Sequence, residues 1–310
     1  MTLKILFAAT ENRWAEYEAP LNAEFQRIGL SVTIATEMQP EEVDYIIYAP
    51  NSSVQDFSPY SKLKAVLNLW AGVEHVVNNP TLKVPLTRMV DHGLTRGMIE
   101  WVTGHVLRYH LGMDRYIHGL NGKWDPVYPP LARDRRVTVL GLGALGRECA
   151  QTLARLGFSV SGWSQSAKDI DGITCHHGPS GLREAMTSAE ILVLLLPNTP
   201  ETENLLNAER LSFLPQGAYL LNPGRGTLID DDALLNGLDQ GQVAHATLDV
   251  FRVEPLPKDH PYWRHSKVTI TPHIAAETRA QTASEVVVEN IRRSEAREPL
   301  LHLVDVTRGY

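Results

Sequence analysis

Arg225 in NPGRG, Glu254 in DVFRVEP and His273 in TPHIAA each follow an apolar run that reads as a buried strand. Guanidinium is a planar fork that matches the two oxygens of a carboxylate. Imidazole titrates near neutrality, and an adjacent carboxylate favours its charged form, so Glu254 is expected to raise the pKa of His273. Together the three suit hydride transfer from a nicotinamide to the ketone of a 2-keto acid. Charge develops on the keto oxygen in that reaction, which calls for a proton donor, a cation for that oxygen and the carboxylate, and a group that keeps the donor protonated. Taken singly, each has a plainer explanation. Arg225 between two glycines can cover a strand end, Glu254 before Pro255 can be a solvated turn residue, and most of the 12 histidines, His260, His265 and His302 among them, read as structural. Asp230, Asp231 and Asp232 precede an apolar helical run and read as a helix cap and first turn. Asp249 ends a strand and is a candidate cofactor contact.

The stretch 136–166 supplies the other reactant. Val137, Val139 and Leu140 form a short apolar run, as in a parallel strand covered on both faces. Gly141, Gly143 and Gly146 follow at G-x-G-x-x-G spacing: one for the tight turn, one for close approach of backbone to a pyrophosphate, one for helix–strand packing. Leu145, Cys149, Leu153 and Leu156 then recur at helical spacing, so a helix begins at Ala144 and Leu145 and aims free N–H groups at the phosphates. An ordinary glycine-rich turn would lack this strand and helix. The second strand, 158–162, is where an Asp or Glu usually meets the ribose of NAD. Here the chain reads Trp163, Ser164, Gln165, Ser166, with Lys168 close behind, and the first acid is Asp169. Hydroxyls, an amide and a cation can hold a 2'-phosphate that a carboxylate would repel, so NADPH is the expected cofactor and NADH the alternative.

Those residues must be positioned by a larger frame. Apolar runs at 3–9, 30–35, 43–48 and 65–69, with a helix over 14–28 ended by Gly29, predict an open α/β unit before about residue 95. After 65–69 come Trp70, Ala71, Gly72 and Val73, a small-residue turn whose N–H groups can hold an anion or can simply lead into a helix. Residues 97–120 read as one long helix linking two domains, and NGKWDPVYPP as a surface loop. Strands at 191–196, 217–222, 243–250 and 268–271 complete a doubly wound parallel sheet. Pro197 and Thr202 lie on the turn after the first of these, at a carboxyl end where a cofactor contact is expected. A closing helix over 277–293 is expected to return to the first domain. The predicted architecture is α/β, with two doubly wound parallel-sheet domains: a Rossmann dinucleotide-binding domain, 96–276, inserted in a flavodoxin-like substrate domain, 1–95 and 277–310.

Composition sets bounds on function. The 310 residues are 43% hydrophobic, enough for two buried cores. Net charge is -7, from 29 basic and 36 acidic residues, without a basic block, which argues against nucleic acid or an anionic membrane as partner. Cys149 and Cys175 form no C-x-x-C pair, so neither a disulfide framework nor a cysteine zinc site is indicated, and a cytoplasmic location fits. The N-terminal apolar run is too short for a signal peptide core, and no later run could span a bilayer.

At this level of detail the chain resembles the D-isomer-specific 2-hydroxyacid dehydrogenase family, most closely its glyoxylate/hydroxypyruvate reductase A type. The resemblance rests on GLGALG at 141–146, LLLPNTPET at 194–202, GAYLLNPGRGTLIDDDALL at 217–235, LDVFRVEPLP at 248–257, VTITPHIAA at 268–276 and the terminal TRGY. It implies that Arg225 binds substrate carboxylate and keto oxygen, that His273 is the acid/base and Glu254 its partner. It further implies that Ala71, Gly72 and Val73, beside Trp70, bind carboxylate through backbone N–H groups, that Asp249 faces nicotinamide, and that helix 97–120 mediates a homodimer. The expected activity is reduction of a small 2-keto acid, glyoxylate or hydroxypyruvate, in an interdomain cleft, with no metal. One departure concerns the cofactor: NADP-type members carry arginines in the turn where this chain has Gln165 and Ala167. D-lactate, phosphoglycerate and formate dehydrogenase relatives are the alternatives within the family. The end at Tyr310 leaves no room for the regulatory domain of many phosphoglycerate enzymes, and formate enzymes pair the histidine with Gln rather than Glu. A dinucleotide-sensing corepressor built on the same fold is an alternative from another class.

Overall fold

The computed structural model describes residues 2–117, 119–307 and 309. The chain divides into two compact units, residues 1–94 with 277–310, and residues 95–276.

In the first unit, β1 (Leu3–Ala8), β2 (Val32–Ala35), β3 (Tyr45–Tyr48), β4 (Ala65–Asn68) and β5 (Leu86–Thr87) form a parallel sheet in the order β2-β1-β3-β4-β5. Side chains that alternate along a strand enter opposite cores. Ile5, Phe7, Tyr45, Ile47 and Leu67 pack with the helices Glu11–Ile28 and Ala280–Glu295. Leu6, Ala8, Ile46, Tyr48 and Val66 pack with Phe57, Val73 and Val76 on the other face. Covering both faces is what makes these strands read as unbroken apolar runs.

The second unit is a seven-stranded parallel sheet in the order β12-β11-β10-β9-β6-β7-β8. Its strands are β6 (Arg136–Leu140), β7 (Ser159–Ser164), β8 (Thr174–His177), β9 (Ile191–Leu194), β10 (Ala218–Asn222), β11 (Val243–Leu248) and β12 (Val268–Ile270). Val137, Val139, Ile191, Val193 and Leu221 face a core completed by Met98, Val102, Val106, Cys149 and Leu153. Leu140, Leu192, Leu194 and Leu220 face the opposite core, built on Leu182, Met186, Leu234 and Leu238. Chain order reverses between β6 and β9. The carboxyl ends of the strands on either side of such a switch form the crevice in which open sheets bind ligands.

Several elements differ from expectation. The long helix runs His92–His110 rather than 97–120. It starts early because the Asp91 Oδ1 accepts the Leu94 N–H at 2.6 Å. Its end lies before Gly112, which takes φ +62, and a separate helical turn Asp114–Ile117 follows. His118, within the expected helix, and Arg308 and Tyr310 of the TRGY terminus lie outside the described residues. The closing helix begins at Ala280, three residues later than expected. Strand β7 runs on to Ser164, past the expected end at 162, and the polar edge strand β8 with the helix Gly178–Thr187 was not anticipated.

Candidate active site

The glycine turn joins β6 to the helix Ala144–Arg155. Gly141 has φ +107, a conformation costly for any other residue, and a Cβ on it would lie 2.4 Å from the carbonyl oxygen of Leu195 at the end of β9. A Cβ on Gly146 would lie 1.7 Å from the Gly141 oxygen, so helix and turn can approach only through glycine. Gly143 is different: it is exposed, and a Cβ there would meet nothing within 4 Å. Open space therefore lies over the first turn of a 12-residue helix whose N-cap offers no side chain to its N–H groups. That cradle fits a pyrophosphate by charge and by shape.

At the end of β7 the candidate cofactor residues part ways. Trp163 is buried at 5% exposure, and its indole N–H donates to the Gly178 carbonyl at 2.8 Å. The Ser164 hydroxyl donates to the Ser166 carbonyl at 2.7 Å. Both side chains are thus committed to the protein. Gln165, Ser166 and Lys168 are exposed, and no carboxylate stands among them. Thr202 is likewise internal: its Oγ1 donates to the Pro197 carbonyl at 2.7 Å and accepts the Thr199 N–H at 2.8 Å, which shapes the turn after β9.

Arg225, Glu254 and His273 follow β10, β11 and β12, three adjacent strands, at their carboxyl ends. His273 Nδ1 stands 2.7 Å from Glu254 Oε2, while Glu254 Oε1 accepts the Phe251 N–H at 2.9 Å. The hydrogen bond to Glu254 raises the His273 pKa, outweighing burial, which acts to lower it. For Glu254 burial acts to raise the pKa, but the bonds from His273 and the Phe251 N–H win, and it is held below the ordinary carboxylate value. The pairing therefore favours the imidazolium beside a carboxylate. Since Nδ1 is engaged, Nε2 is the nitrogen left for a substrate. Arg225 is near enough to act on both charges, and its Nη1 donates to the Gly224 carbonyl at 2.7 Å.

The structure gives Asp249 a part that spacing did not reveal. Fully buried, it accepts the Ile274 N–H and the Thr271 hydroxyl on Oδ1 and the Ala275 N–H on Oδ2, and its carbonyl accepts the His273 N–H at 2.8 Å. His273 itself sits at φ +53, in the left-handed region. Asp249 thus fixes the strained loop that presents the imidazole, and all three of its carboxylate bonds go to that loop.

In the first unit, buried Asn68 donates through Nδ2 to the carbonyls of Trp70 and Gly72, both at 2.9 Å. A trans peptide points its N–H opposite its C=O, so the N–H groups of Ala71 and Val73 are directed away from Asn68. The sequence signal for Asn68 was an amide closing an otherwise apolar strand. Among the described residues no cluster of three His, Cys, Asp or Glu could hold a metal, and no helix is long and apolar enough to cross a membrane.

A family model described as D-isomer specific 2-hydroxyacid dehydrogenase, NAD binding domain, matches residues 105–275. The glyoxylate/hydroxypyruvate reductase A of Serratia proteamaculans is 42% identical over 257 residues, 80% of this chain and 82% of that protein. Its counterpart in Photorhabdus laumondii is 39% identical over 258 residues, 81% and 82% of the two chains. Among solved structures, a D-isomer specific 2-hydroxyacid dehydrogenase from Xanthobacter autotrophicus Py2 in complex with NADPH and MES has a TM-score of 0.92 at 40% identity, covering all of both chains. The NADPH-dependent glyoxylate/hydroxypyruvate reductase of Sinorhizobium meliloti, in complex with NADP and sulfate, has a TM-score of 0.87 at 34% identity, covering 100% of this chain and 99% of that one. On the family match and these identities together, the chain belongs to the D-isomer specific 2-hydroxyacid dehydrogenase family.

Proposed function

We propose that this protein reduces a small 2-keto acid, glyoxylate or hydroxypyruvate, with NADPH, and with NADH less efficiently. The observation that carries the reading is the 2.7 Å contact of His273 with Glu254, next to Arg225, on the sheet whose glycine turn offers a phosphate cradle. The names of relatives about 40% identical, and NADPH in solved relatives, support it. When bound, the reduced nicotinamide supplies a hydride. The N–H groups of the helix Ala144–Arg155 hold the pyrophosphate, and Gln165, Ser166 and Lys168 hold the 2'-phosphate. The Arg225 fork engages the keto oxygen and carboxylate. His273 gives the proton on Nε2 to the keto oxygen as negative charge grows there, and Glu254 stabilises the imidazolium until transfer. Asp249 keeps the imidazole in place from behind. Measuring kcat/KM for both keto acids with each cofactor tests the reading. We expect turnover of both acids and a preference for NADPH; cofactor binding without turnover would leave a sensor instead.

We further propose a homodimer in the cytoplasm. Ile117, Trp124, Val127, Tyr128 and Leu131 are exposed, Trp124 at 94%, and large apolar side chains left exposed over so short a stretch of chain suit an interface. The free thiols of Cys149 and Cys175 suit a reducing compartment. Sedimentation equilibrium of wild type and Trp124→Glu tests the dimer: the substitution should shift the equilibrium to monomer.

A further inference from the structure

The loop carrying Glu254 leaves β11 and the loop carrying Arg225 leaves its neighbour β10. Where the two loops pass, backbone meets backbone: a Cβ added at Gly226 would lie 1.9 Å from the Phe251 carbonyl carbon and 2.4 Å from the Arg252 nitrogen. The Arg252 side chain then reaches across that contact. Its Nη2 donates to the Ile229 carbonyl at 2.7 Å, to the Thr227 carbonyl at 3.3 Å and to Oδ1 of Asn204. Asn204 gives its own N–H to the same Thr227 carbonyl at 2.9 Å, and the Thr227 hydroxyl donates to Asn198 Oδ1 at 2.9 Å. The loops after β9, β10 and β11 therefore converge on one guanidinium. It stands two residues before Glu254 and binds carbonyls two and four residues after Arg225.

The proposed chemistry makes no use of Arg252. Its acidic neighbours do not account for it either: Glu203 at 3.6 Å and Asp231 at 3.9 Å are loose, partly exposed partners of a kind that contributes little. All three bonds leave one nitrogen, Nη2, so the long side chain sets a single donor group where the loop after β10 meets Asn204 of the loop after β9. We propose that Arg252 is a positioning residue: it pins the Glu254 loop to the Arg225 loop and so fixes how closely Glu254 holds Nδ1 of His273. This rests on the functional reading above for its consequence in catalysis, but not for its geometry. His273 is faced by Glu254, Arg225 and Asp249; Arg252 is faced by Glu203 and Asp231, with His260 3.7 Å from Asp231. Of the groups facing His273, Glu254 and Arg225 lie on the two loops that Arg252 joins.

Arg252 also borders an open polar cleft of about 400 Å³, with Asp231 and His260 on its wall, so a guanidinium ion can reach the space left by Arg252→Ala. The test compares wild type, Arg252→Ala and Arg252→Lys. The His273 imidazole is titrated by NMR, its resonance assigned by loss in His273→Gln, and kcat/KM for glyoxylate is followed against pH. In Arg252→Ala both the His273 midpoint and the alkaline limb of kcat/KM move to lower pH, and kcat falls about tenfold, a scale typical of small misplacements. Millimolar guanidinium chloride, but not equal sodium chloride, restores them, and Arg252→Lys lies between. An unmoved His273 midpoint in folded Arg252→Ala overturns the proposal; should that variant not fold, an unmoved midpoint in Arg252→Lys does so. The NMR titration needs no turnover, so a wild type that reduces no keto acid would count against the functional reading, whereas an unmoved midpoint counts against Arg252.

Discussion

Replacing Asp249 with Asn preserves shape and removes one acceptor oxygen, so its effect can be worked from the contacts. With the amide oxygen in the place of Oδ1, the bonds from Ile274 and Thr271 survive and the new NH2 confronts the Ala275 N–H. With the amide flipped, the NH2 confronts the Ile274 N–H instead. The better orientation still loses one bond to a charged acceptor and leaves that buried N–H unsatisfied, together worth about 2–4 kcal/mol. We therefore expect a loss of about 2–4 kcal/mol, or about 5–15 °C in Tm for a domain of this size. A functional loss follows from the same geometry. Holding a non-glycine residue such as His273 at φ +53 costs about 1–2 kcal/mol, and with its anchor weakened the loop can relax and draw the imidazole from Glu254. A displacement on that scale lowers kcat about tenfold to a hundredfold. Thermal unfolding by circular dichroism and steady-state kinetics read the two effects. An Asp249→Asn protein with the Tm and kcat of wild type would refute the assignment of Asp249 as the anchor.

Other perturbations reach the same site. Because Glu254 raises the His273 pKa, kcat/KM for keto acid reduction should hold on the acidic side and fall as pH rises through that raised pKa, with the opposite trend for oxidation of the hydroxy acid. Glu254→Gln should move the limb to lower pH, and an unmoved limb would show that Glu254 does not set it. Arg225→Lys should lower kcat/KM about tenfold or more, since a point ammonium cannot span carboxylate and keto oxygen; unchanged kinetics with both substrates would remove Arg225 from the site. Gln165→Arg should raise the NADPH preference about tenfold by placing a delocalised cation at the 2'-phosphate. A wild type that prefers NADH would contradict the cofactor assignment and point to Asp169 folding back onto the ribose.

Much of the fold was legible because parallel strands covered on both faces must be apolar throughout, and runs such as Ile191–Leu194 have no other ready explanation. The glycine turn was legible because steric demand at Gly141 and Gly146 leaves one residue type. What sequence missed lacked such constraint. β8, reading TCHH, is an edge strand with half-exposed side chains and no apolar pattern. The start of the helix His92–His110 is fixed by a side-chain bond from Asp91 to Leu94, which helical periodicity cannot register. Trp163 and Ser164 stand where a strand end meets a cofactor, and that the indole is buried and the hydroxyl bonds locally is visible only in the fold. Of the site, Arg225, Glu254 and His273 were marked by their positions after strands. Asn68 and Arg252 gain their roles from carbonyls that other residues present to them, and those contacts exist only in the fold.

The most direct test of the account is His273→Ala, assayed for glyoxylate reduction across neutral pH alongside NADPH binding by fluorescence. General acid catalysis typically contributes 10²-fold or more, so kcat should fall by at least about that factor while NADPH binds as before. A variant that reduces glyoxylate at the wild-type rate would contradict the account, because the proton for the keto oxygen would then come from a group other than His273.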